Sequence, residues 1–198
     1  MALNQPNGNT NNISFGPAKI KLGSWTDPTA YSPGTVDFTP TTDVGFIGED
    51  GVTVELTSEK RIINQGNPQI ATYSFATNQS VMINFTSIEW DFDAFVFALG
   101  AGVTTATANG STTFGFGGNP LNTEASILME HEMASSGDSL EISAWKVQSE
   151  SGFSIPFTAT EEHQFEFGFT CLNATKDWLA NDLGATESLI QFKRNYSS

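Results

Sequence analysis

Two histidines that stand beside glutamates form the first pattern in this chain that could do chemistry. His131 lies between Glu130 and Glu132, and His163 follows Glu161 and Glu162. Converging imidazole and carboxylate groups could bind zinc. His131, however, belongs to an apolar stretch that reads as a β-strand, and neighbouring side chains on a strand point to opposite faces. Glu130 and Glu132 would therefore point away from His131, so the pattern predicts a half-exposed strand histidine.

Other groups that could do chemistry lack the partners that they would need. The glycine-rich residues 115–118 suggest a phosphate loop, but the lysine and the helix that such a loop requires are missing. Cys171 has no flanking signature of a catalytic nucleophile. The D-x-D pattern of Asp91 and Asp93 is typical of a helix start, and no pair among the 22 acids stands out for glycoside hydrolysis. We therefore predict that the protein is not an enzyme and holds no metal and no cofactor.

Charge limits the classes of partner. The chain has 22 acidic and 8 basic residues, which gives a net charge of −14. Because duplex DNA is bound through clustered Lys and Arg, this balance argues against binding through the phosphates. An acidic surface keeps a protein soluble, and it would also let a polyanion slide past without adhering.

Length and local composition predict a single domain. The 198 residues suit one domain, and the polar residues 1–14 read as a flexible arm in front of a domain at residues 15–198. One cysteine excludes an internal disulfide. The first residues lack the features of a secretory signal, and no apolar run is long enough for a bilayer. We therefore expect a protein that is made and used without secretion or membrane contact.

Alternation of apolar and polar residues predicts a mainly β fold. Val52, Val54 and Leu56 alternate with Thr53 and Glu55, as in a strand with one buried face. Similar strand-like segments lie at residues 15–25, 45–56, 71–86, 126–133, 140–148, 153–160, 163–172 and 188–195. With turn residues between them, they predict an antiparallel β-sandwich or partial barrel, flanked by one α-helix.

The helix is predicted at residues 87–102, directly after a strand. Thr86 and Glu89 fit a capping box, and Gly100 or Gly102 would end the helix. Spacings of three and four predict one apolar stripe that packs on the sheet: Ile88, Phe92, Phe95, Val96 and Leu99. The Thr- and Gly-rich residues 103–120 then predict an exposed loop of unusual length.

The order of several short motifs resembles that of phage major tail tube proteins. A Gly-Pro strand at residues 15–20 is followed by a strand at residues 45–54 that runs from glycines into Val-Thr, and then by E-x-x-x-I at residues 59–64. The helix ends in Ala-Leu-Gly. Later come a strand at residues 127–133, the pattern G-D-x-L-x-I-x-x-W-K at residues 137–146 and an aromatic strand at residues 165–169. The likeness covers roughly residues 15–172.

This resemblance implies a structural protein of the virion tail, assembled in the host cytoplasm. Members of the family form hexameric rings that stack into a tube, and their inner strands join into one continuous β-barrel around the channel through which DNA leaves the capsid. The implied partners are further copies of the chain and other tail proteins, such as terminator, sheath or baseplate proteins. We expect the arm at residues 1–14 and the loop at residues 26–50 to make contacts between subunits.

The resemblance also implies an acidic channel through which DNA passes without specific binding, in keeping with the net charge of −14. Glu55 and Glu166 are the best candidates for its lining, because each alternates with apolar residues along its strand. Glu130 and Glu141 come second, since their strands alternate less cleanly.

The same strands also allow a monomeric β-sandwich binding module, for instance a carbohydrate-binding or receptor-binding virion protein. Its signature would be exposed tryptophans, which offer a platform for sugars. The four tryptophans, Trp25, Trp90, Trp145 and Trp178, lie far apart and mostly inside periodic segments, which favours packing in a core or a subunit interface. Formation of rings by the purified protein would separate the two hypotheses.

Overall fold

Ten β-strands and one α-helix make up the regular structure of the described residues, apart from a 3₁₀ turn at Pro28–Ala30. The computed structural model describes residues 18–66, 70–99, 103–117, 124–133, 138–150, 152, 154–155, 157 and 163–196. The strands are β1 (Lys19–Ser24), β2 (Thr42–Asp43), β3 (Ile47–Gln65), β4 (Ile70–Ser87), β5 (Val103–Ala108), β6 (Ser111–Phe116), β7 (Glu124–Glu132), β8 (Ser139–Ser149), β9 (Phe165–Cys171) and β10 (Gln191–Asn195). The helix, α1, is Phe92–Leu99. The predicted arm at residues 1–14 lies outside the described residues.

Eight of these strands form one antiparallel sheet. Its order is β2-β1-β7-β8-β9-β4-β3, with β10 beside β8, while β5 and β6 form a separate hairpin. The predicted mainly β, antiparallel fold with one helix is confirmed in this coarse form. Among the described strands, β2 and β3 at the two edges do not pair with each other, so the sheet of one chain is open and not a closed barrel.

The sheet must nevertheless curl, because a very short link joins its two edges. Asp43 ends β2 at one edge and Ile47 begins β3 at the other. Four residues of chain reach at most about 14 Å. Six strand spacings would separate the edges of a flat sheet by roughly 29 Å. In keeping with this, Leu22 of β1 and Ile83 of β4 belong to one buried cluster.

The concave side of the curled sheet carries the hydrophobic core, and we call it the core face. Directly paired residues of an antiparallel sheet share a face, so Val54, Ile83 and Phe169 lie side by side across three strands. Phe85 stacks on Phe167 with ring centroids 4.9 Å apart. The alternation predicted for the strand at residues 163–172 is present along β9, where every second residue from Phe165 to Cys171 is buried and those between are exposed or half-buried.

The helix starts later than the sequence suggests. Asp91 caps α1, because its Oδ1 accepts a hydrogen bond from the Asp93 N–H at 2.9 Å. The predicted cap at Thr86 with Glu89 is wrong, because Thr86 is still a residue of β4. The ladder that β4 makes with its neighbours on both sides holds the chain extended as far as Ser87.

The buried stripe of α1 consists of Ala94, Phe95 and Ala98. Phe95 is the only residue of the predicted stripe that is fully buried, and its ring centroid lies 4.7 Å from that of Phe165. The other residues of the predicted stripe are half-buried: Phe92, Val96, Leu99 and Ile88. The last of them lies before the helix. Alanines suit the buried positions because they let the helix backbone approach the sheet.

The predicted loop at residues 103–120 is a β-hairpin over its described part. Asn109 and Gly110 make the turn with φ of 54° and 77°, as a two-residue hairpin turn with both residues left-handed requires. The ring of Phe114 in β6 packs 5.5 Å from Phe92 and 5.8 Å from Phe95, measured between centroids. The β-branched threonines favour a strand although they add no apolar period, which explains the wrong prediction.

The hairpin of β3 and β4 is longer than the two strands predicted for it. The strands have 19 and 18 residues, so the E-x-x-x-I motif at residues 59–64, between the strands predicted at residues 45–56 and 71–86, is itself part of β3. All side chains of β3 beyond Val54 are exposed. In the predicted strand at residues 153–160, the described residues Ser154, Ile155 and Phe157 lie outside any strand.

Candidate functional site

The convex side of the sheet, which we call the outer face, carries all four predicted acidic residues. Glu55 pairs with Met82, and Met82 pairs with Thr170. Glu166 alternates with the buried Phe167, so it projects to the same side as Thr170. Glu55 and Glu166 are both exposed, and they lie on one side of the strands β3, β4 and β9.

Glu130 and Glu141 lie on the same face but in another part of it. They are direct partners across β7 and β8. Met129, next to Glu130, belongs to the core cluster, so Glu130 projects outward. The outer face thus has two halves. The covered half is formed by β1, β7, β8 and β10, and the open half by β9, β4 and β3.

A small second core lies on the covered half. Trp145 of β8 and Trp178 pack edge to face with centroids 4.6 Å apart, and the Trp178 Nε1–H donates to the Trp145 carbonyl at 3.3 Å. The Trp145 Nε1–H donates in turn to the Glu187 carbonyl at 2.9 Å. The chain between β9 and β10 therefore crosses β7 and β8 and buries their outer side. The residues in this cluster are Leu128, Trp145, Ala174 and Trp178, with Trp25, Phe38 and Leu183 packed against them.

Ion pairs neutralise both predicted acids of the covered half. The Lys21 ammonium lies 2.8 Å from a Glu130 carboxylate oxygen, and the Lys193 ammonium lies 3.9 Å from a Glu141 oxygen. Lys19 of β1 pairs with Asp43 of β2 at 2.9 Å. These contacts come from the pairing of β1 with β2 and β7 and of β10 with β8, which places a lysine beside each of these three acids.

The pKa values at the β1–β2 pair reflect this neutralisation. Burial alone would raise the pKa of Asp43, but hydrogen bonds from the Lys19 ammonium and the Gly45 N–H outweigh it and hold the pKa below its ordinary value. The same hydrogen bond, together with the charge of Asp43, raises the pKa of Lys19. Both shifts favour the charged pair.

The open half has no such pairing. Among the described residues, neither Glu55 nor Glu166 has a salt-bridge partner. Glu166 lines a depression of about 270 Å³ together with Asp50 and Asn84. Nearby, the Thr170 hydroxyl donates to the Glu150 carboxylate. The surface of this half is therefore polar and acidic.

One glycine lets two strands of the open half meet closely. Gly168 of β9 pairs with Asn84 of β4. A Cβ at position 168 would lie 3.1 Å from the Asn84 Oδ1. Because glycine has no Cβ, it leaves room for the Asn84 amide beside β9, and this part of the outer face stays polar.

The edge of the open half is a long strand with a neighbour on one side only. In the described part of the chain, β3 pairs with β4 and with no other strand. Large apolar side chains are exposed along this hairpin: Leu56 is 60% exposed, Ile62 57% and Tyr73 64%, with Ile63 and Phe75 also exposed. Sequence reasoning missed this surface. The signal was two β-branched and aromatic runs on either side of Gly-Asn-Pro, which is a hairpin pattern.

The residues singled out for chemistry do not converge. The described residues include no group of three or more His, Cys, Asp or Glu side chains placed to hold a metal ion. His163 packs against Trp90, with ring centroids 5.8 Å apart. Cys171 is buried in the core, and this burial raises the pKa of its thiol to about 12. The absence of an enzymatic activity, a metal and a cofactor stays a prediction.

No protein-family model matches the chain, and a search of curated proteins finds no match. None of the described residues form a helix with the length and apolar character that a membrane span requires.

Proposed function

We propose that this chain is a structural protein of a phage tail. Identical copies, six to a ring, would assemble into stacked rings that form the tail tube, the conduit through which DNA is ejected. The observation that carries the proposal is the open half of the outer face, which is exposed, polar and acidic, while the core face behind it buries Ile83, Phe167 and Phe169. The order of the sequence motifs supports the same function.

The charge of the open half suits the wall of a channel for DNA. Glu55 and Glu166 have no neutralising base among the described residues, and Asp50 and Glu150 add two more acids nearby. Like charges keep phosphates from adhering to such a wall. Glu130 and Glu141 suit it less, because each has a lysine partner.

The free edge of β3 supports assembly with further copies. A long strand with unpaired backbone groups attracts other strands, and natural proteins cover such edges. A head-to-tail contact that closes into a ring covers the edge in every copy at once. The inner strands of the ring would then form a single barrel, to which each curled subunit contributes its open half. Terminator, sheath or baseplate proteins would cover the ends or the outside of the tube, in a virion tail assembled in the host cytoplasm.

Negative-stain electron microscopy of the purified protein tests the proposal. We expect rings with a central hole, or tubes built from them. Small separate particles at high protein concentration would contradict the proposal and would favour a monomeric binding module.

Charge reversal tests the assignment of the channel wall. Tubes of the double variant Glu55→Lys, Glu166→Lys should retain short duplex DNA at low salt and release it as salt rises, because phosphate binding is strongly salt-dependent. The matched control is Glu130→Lys with Glu141→Lys, which makes the same change of charge on the covered half. Equal retention of DNA by both variants would contradict the assignment.

A further inference from the structure

The far end of the β3–β4 hairpin carries cations without counter-ions. Lys60 and Arg61 are exposed, and in the described part of the chain neither has a salt-bridge partner. The other six bases of the chain each have one: Lys19, Lys21, Lys146, Lys176, Lys193 and Arg194. We call this end the hairpin tip, and it consists of Lys60, Arg61, Ile62, Ile63, Tyr73 and Phe75.

The hairpin tip is also apolar on both of its sides. Arg61 pairs with Phe75 and Ile63 pairs with Tyr73, so these four side chains share one side of the ribbon. Ile62 pairs with Ser74 on the other side. No side chain of the tip belongs to a buried cluster of the described chain. A two-stranded ribbon with exposed apolar groups is stable only when another surface covers it.

The opposite end of the same hairpin lies at an open cavity, which we call the strand-start cavity. Its volume is about 830 Å³, and Phe46, Glu89 and Glu132 are among its lining residues. Phe46 is 71% exposed. Neither Glu89 nor Glu132 has a salt-bridge partner in the described part of the chain. The cavity thus offers two free carboxylates beside an exposed ring.

We propose that the hairpin tip of one copy docks into the strand-start cavity of the next copy along the tube. This inference rests on the proposed function and adds the contact that joins one ring to the next. The two surfaces are complementary in charge, with two free cations on the tip and two free carboxylates in the cavity, and both expose apolar side chains. They also lie at opposite ends of one hairpin, so the same contact can repeat from copy to copy.

The reach of the hairpin fits such a repeat. Fourteen residues of extended chain separate Ile47 at the cavity from Arg61 at the tip, and at about 3.3 Å per residue they span roughly 45 Å. A contact between two different surfaces of identical copies builds an open stack and not a closed pair. A second copy is also favoured over DNA, because the tip has only two cations and its remaining side chains are apolar.

Cross-linking between single-cysteine variants tests the contact. Arg61→Cys and Glu132→Cys proteins are purified separately, mixed under assembly conditions and treated with a short bismaleimide. The native Cys171 is buried and serves as an inert background. The mixture should give a cross-linked dimer, and neither variant alone should. The matched control replaces Glu132→Cys with Leu179→Cys, at an exposed position on the covered half, and should give none.

The outcomes separate the contact from the proposed function. If the wild-type protein forms neither rings nor tubes, the proposed function fails. If tubes form and Arg61→Cys does not cross-link to Glu132→Cys, or cross-links equally to Leu179→Cys, the contact is wrong while the tube stands.

Charge reversal gives an independent measurement. The double variant Lys60→Glu, Arg61→Glu should still form single rings but should weaken their stacking about tenfold, judged by the protein concentration at which tubes appear. Adding Glu89→Lys and Glu132→Lys should restore stacking in part, because the charges are then exchanged and not removed. Normal tubes from the first variant would overturn the contact.

Discussion

The two halves of the outer face belong to one sheet, but they differ in the burial of their side chains and in the pairing of their acids. On the covered half, Trp145 and Leu128 are buried under the chain around Trp178, and Glu130 and Glu141 are paired with lysines. On the open half, Glu55 and Glu166 have no salt-bridge partner in the described chain.

This contrast indicates where a partner is expected. Where the sheet is apolar, the protein supplies its own cover, as burial of apolar area requires. The open half is polar, so water alone can solvate it, and an assembly can leave it facing a wet channel. The free edge of β3 can pair with another strand, and the apolar side chains of the hairpin tip gain free energy from burial. These are therefore the surfaces that further copies would cover.

The largest effect is expected from Phe95→Ala, which removes the packing behind the open half. Phe95 is 1% exposed and contacts Phe165 of β9, so the free energy of unfolding should fall by about 3–5 kcal/mol. Urea unfolding measures this loss, and the half-buried Val96→Ala is the control with a smaller cost. A normally stable Phe95→Ala protein would mean that α1 packs on a partner and not on its own sheet.

Trp178→Ala should weaken the packing of the chain between β9 and β10 on the covered half. Trp178 is 5% exposed and packs on Trp145, and we expect a loss of about 3 kcal/mol in the free energy of unfolding. Its neighbour Leu179 is 42% exposed, so Leu179→Ala should change stability by less than about 0.5 kcal/mol. Hydrogen exchange should then speed up in β7 and β8 more than in β3 and β4. Equal acceleration in all four strands would contradict the separation of the two halves.

Charge substitutions should distinguish the halves more finely. Lys21→Glu places a third carboxylate between Asp43 and Glu130, and it should cost about 1 kcal/mol of stability. Glu166→Lys on the open half breaks no ion pair of the described structure and should be neutral within about 0.5 kcal/mol. Thermal unfolding of both variants at low salt checks the contrast. A larger cost for Glu166→Lys would show that the open half depends on its negative charge.

The smallest effect concerns pH at the Asp43–Lys19 pair. The folded pKa of Asp43 lies below its ordinary value of 3.8, so the carboxylate contributes stability above that pH and loses it as the pH falls through the lower, folded pKa. Both partners are about half exposed, so the contribution should be below about 1 kcal/mol. Asp43→Asn should therefore be less stable than wild type at neutral pH, and the two should converge in acid. A difference that grows in acid would mean that Asp43 is not held as the anion.

Sequence reasoning could place the strands of the open half because their apolar residues lie on one side only. The alternation of Phe165, Phe167 and Phe169 with Glu166 decides both the strand and the direction of the acid. The same reasoning placed Glu55, because Val52 and Val54 on either side of Thr53 point to the core.

The division of the outer face could not be predicted, because it depends on contacts between distant parts of the chain. Whether Glu130 is neutralised depends on Lys21, which is brought beside it only when β1 pairs with β7. Likewise the helix is capped by Asp91 and not by Thr86 as predicted, because two neighbouring strands hold the end of β4 in extended conformation. Local capping residues carry no information about such neighbours.

The proposed tube requires that the open half faces the channel of a ring of copies. A cryo-electron microscopy reconstruction of the assembled protein at side-chain resolution would show which surface of each copy lies nearest the axis. We expect six copies in each ring, with Glu55 and Glu166 of every copy nearest the axis, and with α1 and the Trp145–Trp178 cluster farther out. This orientation would be contradicted by a reconstruction with α1 or the covered half at the smallest radius, or with Glu55 and Glu166 on the outer surface of the tube.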